Sequence, residues 1–233
     1  MERRKYMKKR IFYTELAYIF GLAILALGTA LMERANFGVS MVVAPAYLVY
    51  LKLSPVLPFF TFGMAEYMLQ GTLLLVMILI LRRFRLSYLF SFVTAVIYGF
   101  TLDGAMWLIA LLPGSGMAAR IAFYILGLLG CSLGVSLLFH TYISPEVYEL
   151  WVKEMSERSG IDIHKYKTGY DCVSCLISIV LSFIFFGFGR FEGVKLGTIL
   201  CALVNGFVIS RCTHVIENKW DFQDGLQLRR FFK

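Results

Sequence analysis

Six stretches of this chain stay apolar for about twenty residues each, the length that carries an α-helix across the hydrocarbon of a bilayer. A chain in contact with lipid must satisfy its own backbone hydrogen bonds, so these stretches are helices. The sequence predicts spans at roughly 12–33, 62–81, 87–111, 120–142, 169–189 and 193–211. Composition agrees: 59% of residues are hydrophobic and 16% charged, against ~45–50% and ~25% in a soluble domain. The run behind the basic segment ending at Arg10 is too long for a signal peptide and lacks a small-residue cleavage site, so the first span is expected to stay in place. The five cysteines all lie in or beside apolar runs, which suits small buried hydrophobes and not a disulfide framework.

The net charge of +8 is set by where Lys and Arg fall between the spans. With the N-terminus in the cytoplasm, the inner segments hold eighteen of the 23 basic residues, and the outer segments hold only Arg34, Lys52, Arg120, Arg190 and Lys195. This alternation sets the orientation, with both termini cytoplasmic, and it makes nucleic acid an unneeded explanation for the charge. The expected home is the cytoplasmic (inner) membrane of a bacterium, as a multi-pass protein.

Two connections are long. The outer one, 35–61, is mostly apolar, which suits either a surface segment or a short re-entrant helix inside the bundle. The inner one, 144–168, is amphipathic. Ser144 can cap a helix near 145–159, Pro145 suits its first turn, Glu146 and Glu149 favour its positive end, and Ser159-Gly160 stops it. This helix is expected at the cytoplasmic membrane surface, with Tyr148, Trp151, Val152 and Met155 on one face.

The halves of the chain echo one another. Gly21 and Gly127, Gly28 and Gly134, and Gly63 and Gly169 are each 106 apart, while Ala95 and Ala202, Gly99 and Gly206, and Phe100 and Phe207 are 107 apart. Each long connection follows the first span of its half. Three spans per repeat is an odd number, so the second repeat enters from the opposite side. The expected fold is therefore an all-α polytopic membrane protein of six transmembrane helices arranged as two inverted three-helix repeats. The parts are a basic cytoplasmic segment 1–11, a first repeat 12–112, an outer linker 113–119, a second repeat 120–211 and a cytoplasmic tail 212–233.

Ionisable residues inside spans are costly and so point to function. Asp103, late in the third span, is the leading candidate. With Glu66, Arg34 (its expected partner) and Asn36 it forms an expected substrate or proton site, the alternative being a structural ion pair. Asp171, Lys167 and His140 form an expected inner gate. Asn205, Gly99 and Gly206 read as helix-packing positions, and Gly127, Gly130 and Gly134 form a small-residue stripe that also suits contact between copies. Cys172-Val-Ser-Cys175 has a redox spacing but lies at a cytoplasmic helix end, where disulfides rarely persist. His140, His164 and the cysteines lack paired-ligand spacing, so no metal and no cofactor is expected. No phosphate-binding loop, nucleophile elbow or zinc-protease helix is present, so the chain does not read as an enzyme.

Four segments in order also resemble the YczE/YitT-like family of uncharacterised bacterial integral membrane proteins: Ala35-Asn-Phe-Gly-Val-Ser40, Tyr98-Gly-Phe-Thr-Leu-Asp103, Lys167 followed by Asp171, and Val194-Lys-Leu-Gly-Thr-Ile199. The resemblance spans roughly 16–210 and implies a membrane protein of unknown, transport-related function. The expected function is a small-solute transporter or permease working by alternating access on an anionic or zwitterionic molecule. The rival is a partner or sensory subunit that docks through 144–159.

Overall fold

In the computed structural model, residues 10–114, 116–226 and 229 are described. Among them are eight helices: α1 (Thr14–Ala35), α2 (Ala44–Leu53), α3 (Phe62–Leu81), α4 (Leu86–Ala110), α5 (Met117–Leu138), α6 (Val147–Ser159), α7 (Ile163–Phe186) and α8 (Leu196–Lys219). Six of these, all but α2 and α6, are long and apolar enough to cross a membrane. Large side chains such as Leu79, Phe100, Trp107, Ile184 and Leu203 face outward, as expected where the surrounding solvent is lipid.

The centre is the antiparallel pair α1 and α5. Their glycines meet crosswise. A Cβ on Gly28 would lie 2.8 Å from the carbonyl oxygen of Gly127 and 2.6 Å from the backbone nitrogen of Cys131, and a Cβ on Gly134 would lie 2.8 Å from the carbonyl oxygen of Gly21. The stripe Gly127, Gly130 and Gly134 is thus used against α1 within the chain, where small residues let two backbones touch. Around this pair, α4 is tied to α1 through the hydroxyls of Tyr98 and Thr29, 3.0 Å apart. Similarly, α8 is tied to α5 where the Ser132 hydroxyl donates to Asn205 at 2.9 Å.

The two short helices lie inside the bundle, each against the other half of the chain. The start of α2 is near the middle of α7, where Ser174 donates to the Met41 carbonyl, and its end reaches the end of α7, where Lys52 donates to the Phe185 carbonyl. The connection 35–61 therefore packs inside the bundle, with Ala44, Ala46 and Leu48 buried. In the same way α6 begins beside Gln70 of α3 and ends where Arg158 donates to the Ile80 carbonyl and Glu154 pairs with Arg83 and Arg85. This corrects the expectation of a surface helix: Val147, Tyr148, Val152 and Met155 are buried against the bundle. Protein on one side and a wet end on the other produce the same amphipathic pattern as a membrane surface does.

Other boundaries moved for physical reasons. The last helix runs on to Lys219, past Arg211, because Ile216 packs against Ala17 and Leu137 beyond the apolar run. The N-cap of α6 is Glu146 and not Ser144, since the first helical N–H, on Val147, is satisfied by Gln70 from α3. A short parallel pairing of Arg10–Tyr13 (β1) with Trp220–Gln223 (β2) brings the segments before α1 and after α8 to one end of the bundle. Gly206, expected as a packing glycine, lies on an exposed face with nothing within 4 Å of a Cβ.

Gly28→Ala and Gly206→Ala separate these roles. The first drives a methyl into α5 backbone and is expected to cost about 1–3 kcal/mol. The second meets open space and gains up to ~1 kcal/mol of helix propensity. Apparent Tm of the purified variants should fall for Gly28→Ala and hold or rise for Gly206→Ala.

Candidate functional site

The approach to α2 is locked by glycines. Gly38 adopts φ +107°, and a Cβ there would strike the Thr198 hydroxyl at the start of α8. Gly197 donates its N–H to the Phe37 carbonyl at 2.9 Å. Two segments far apart in sequence, 35–40 and 194–199, therefore form one joint, closed by Lys195 donating to the Asn36 side chain. From this joint Ser40, Met41 and Val43 lead into α2 at the middle of the bundle.

Across from it, the start of α6 is held by Gln70. The Gln70 Oε1 accepts from Val147 N–H at 3.1 Å, and its Nε2 donates to Glu146 Oε2 at 3.1 Å. One turn earlier on α3, Glu66 accepts from the Tyr148 hydroxyl at 2.9 Å. Both carboxylates are buried, Glu66 at 0% and Glu146 at 3% exposure, and the Oε1 of each has no hydrogen-bond partner.

A cavity of about 50 Å³ lies between these two helix starts. From the first half of the chain, α1 gives it Thr29, the approach to α2 gives Ser40 and α4 gives Tyr98. From the second half, α5, the start of α6, α7 and α8 give it Cys131, Glu146, Glu149, Lys167 and Asn205. Lys167 also pairs with Asp171, one turn on, at 3.6 Å. Burial raises the proton affinity of Glu146, and the neighbouring carboxylates Glu149 and Glu66 raise it further. Burial also raises that of Glu149, with the charge of Lys167 opposing.

The residues expected to form one site are separated. Asp103 accepts from the Thr61 hydroxyl at 2.7 Å and from the Gly63 N–H at 2.8 Å, so it caps the start of α3. Arg34 does not pair with it; its guanidinium donates to the Leu112 carbonyl at 3.2 Å. Asn36 ends α1 in the left-handed conformation at φ 56°. Glu66 instead meets α6, where it accepts from Tyr148. Of the three inner-gate residues, Lys167 and Asp171 are together, but His140 bonds Ser136 and Glu217 and stacks on Phe222. Gly99 meets the backbone of Gly63, and Asn205 reaches both Ser132 and the cavity.

Sequence reasoning missed Glu146 and Glu149 as site residues because a helix start explains acidic residues by itself. A signal was present. Glu146 lies 106 after Ser40, the offset of the glycine pairs, and Asn205 lies 107 after Tyr98. Cys172 and Cys175 are free thiols, the His164 side chain lies outside the described residues, and among the described residues no three His, Cys, Asp or Glu group as a metal site.

A model of a family of unknown function, DUF6198, matches residues 12–214, and the chain belongs to that family. The match lends no support to the YczE/YitT name. No curated protein and no solved structure matches the chain.

Asp103→Ala strands the Thr61 hydroxyl and the Gly63 N–H at the start of α3. The expected cost is about 1–2 kcal/mol, read as a lower apparent Tm, with Asp103→Asn milder because it keeps one acceptor. A Tm unchanged in Asp103→Ala would remove the capping role.

Proposed function

We propose that this DUF6198 member is a small-solute transporter or permease working by alternating access, with its site in the cavity between the starts of α2 and α6. The observation that carries the reading is the cavity's lining: both halves of the chain contribute polar side chains to one small space, through α1, the approach to α2 and α4 from the first, and α5, the start of α6, α7 and α8 from the second. Secondary transporters built from inverted repeats place their sites there, at interrupted helices whose positive ends face the substrate. The crosswise glycine contacts of α1 and α5 support the inverted repeat, because Gly21–Gly134 maps onto Gly127–Gly28 at an offset of 106. The distribution of Lys and Arg supports cytoplasmic termini, in the inner membrane of a bacterium.

The lining favours a zwitterion. Glu146 and Glu149 can receive an ammonium group, and Lys167 can receive a carboxylate. A space of about 50 Å³ holds a few waters, so an organic solute requires α2 or α6 to move outward. The burial of Tyr148, Val152 and Met155 on α6 favours this reading over docking through 144–159.

Proteoliposomes loaded with small zwitterions, anions or cations in turn should show counterflow for a zwitterion. Glu149→Gln and Lys167→Gln should each weaken it about 10–100-fold, the worth of one charge-assisted contact of ~1.5–3 kcal/mol. If well-folded wild type exchanges no member of the panel, the transport reading fails.

A further inference from the structure

We propose that Glu146 is the proton-carrying group of this cavity and that its bound proton holds α6 in the closed position. The proposal deepens the transport reading by assigning the coupling ion.

The geometry leaves Glu146 little choice. The Gln70 amide is oriented by its bond from the Val147 N–H, so its Nε2 faces Glu146 Oε2. No donor reaches Oε1, although the residue is only 3% exposed and lines the cavity. Glu146 makes no side-chain capping bond to the start of α6, whose first N–H is committed to Gln70. A buried carboxylate without a counter-charge is costly, and taking up a proton is its cheapest relief. The proton also turns an unmatched acceptor into a donor.

Surrounding groups reinforce this. Glu66 on α3 and Glu149 on α6 are further carboxylates, and Asp171 on α7 is another. Against them stands Lys167, which Asp171 already engages at 3.6 Å. On α1 and α4, Tyr18 bonds Thr94 and Tyr98 bonds Thr29; on α5 the Cys131 thiol contacts Thr29; on α6 the Tyr148 hydroxyl donates to Glu66; Tyr170 of α7 and the neutral Asn205 of α8 complete the ring. None of these supplies a free cation to Glu146.

The coupling follows. When α6 moves outward, Glu146 leaves Gln70, meets water and returns towards an ordinary carboxylate, releasing its proton to that side. Because burial raises its proton affinity, the closed state gains from low pH and loses that gain as pH climbs above the ordinary carboxylate range.

The test is infrared spectroscopy of the protein in lipid nanodiscs across about pH 5 to 9, reading the C=O stretch of protonated carboxyls, which free Glu loses near pH 4.3. Wild type should keep such a band at neutral pH. Glu146→Gln should remove one carboxyl's worth of it, and Glu146→Asp should displace it, which decides the matter if Glu146→Gln folds poorly. No protonated band in wild type at neutral pH would overturn the proposal, as it would if a bound metal cation neutralised the site instead. A band unchanged in Glu146→Gln and Glu146→Asp would overturn it too, by placing the proton elsewhere. Because the readout is spectroscopic, the transport reading can stand or fall independently.

Discussion

The backbone contact between α1 and α5 governs the rest of the molecule. Lipid tails are as apolar as leucine, so helices in a bilayer associate through close packing and polar contacts, not through the hydrophobic effect. Gly21, Gly28, Gly127 and Gly134 let the two helices approach until carbonyl oxygens face the opposing glycines. With that axis set, α4 and α8 each attach to it by a hydroxyl or amide contact, at Thr29–Tyr98 and Ser132–Asn205. The groove left between these helices is filled by α2 and α6, each seated against α3 and α7.

Filling that groove with chain that starts inside the bundle carries a risk, because unpaired backbone groups away from water are costly. Both short helices meet it with borrowed partners. The lead into α2 places the Phe37 carbonyl on the Gly197 N–H of α8, and the start of α6 places the Val147 N–H on the Gln70 side chain of α3. Each short helix is thus completed by the half of the chain to which it does not belong. Movement of either helix must break those partners, so the same bonds that make the fold tolerable would act as latches in a transport cycle.

How much of this is legible in the sequence depends on the signal involved. Spanning helices are written in twenty-residue apolar runs, and α3 is placed to the residue at Phe62–Leu81. The short helices are legible as segments but not as positions. An amphipathic stretch such as 147–159 looks alike whether its apolar side meets lipid or the faces of α3 and α7. Asp103 was the most conspicuous carboxylate because it ends an apolar run, yet Thr61 and Gly63, forty residues earlier, give it a capping role that no local pattern displays. Glu146 was inconspicuous for the opposite reason, since two acidic residues after a proline at a helix start are locally satisfied. Only the distant Gln70 and Glu66 reveal that this start is buried.

The two sides of the cavity differ in chemistry. Positions related by the repeat offset differ in chemistry: Ser40 on the approach to α2 corresponds to Glu146 at the start of α6, and Tyr98 corresponds to Asn205. The α2 side presents hydroxyl and aliphatic groups, while the α6 side presents Glu146, Glu149 and Lys167. Solvating hydroxyls changes little electrostatically, whereas solvating buried carboxylates changes their ionisation. Outward movement of α6 would therefore alter the charge of the cavity, and outward movement of α2 would not. On the proposed transport reading, charge on one side of the cavity would give its two sides unequal chemistry, which is the condition a coupling ion needs in order to be bound on one face and released on the other.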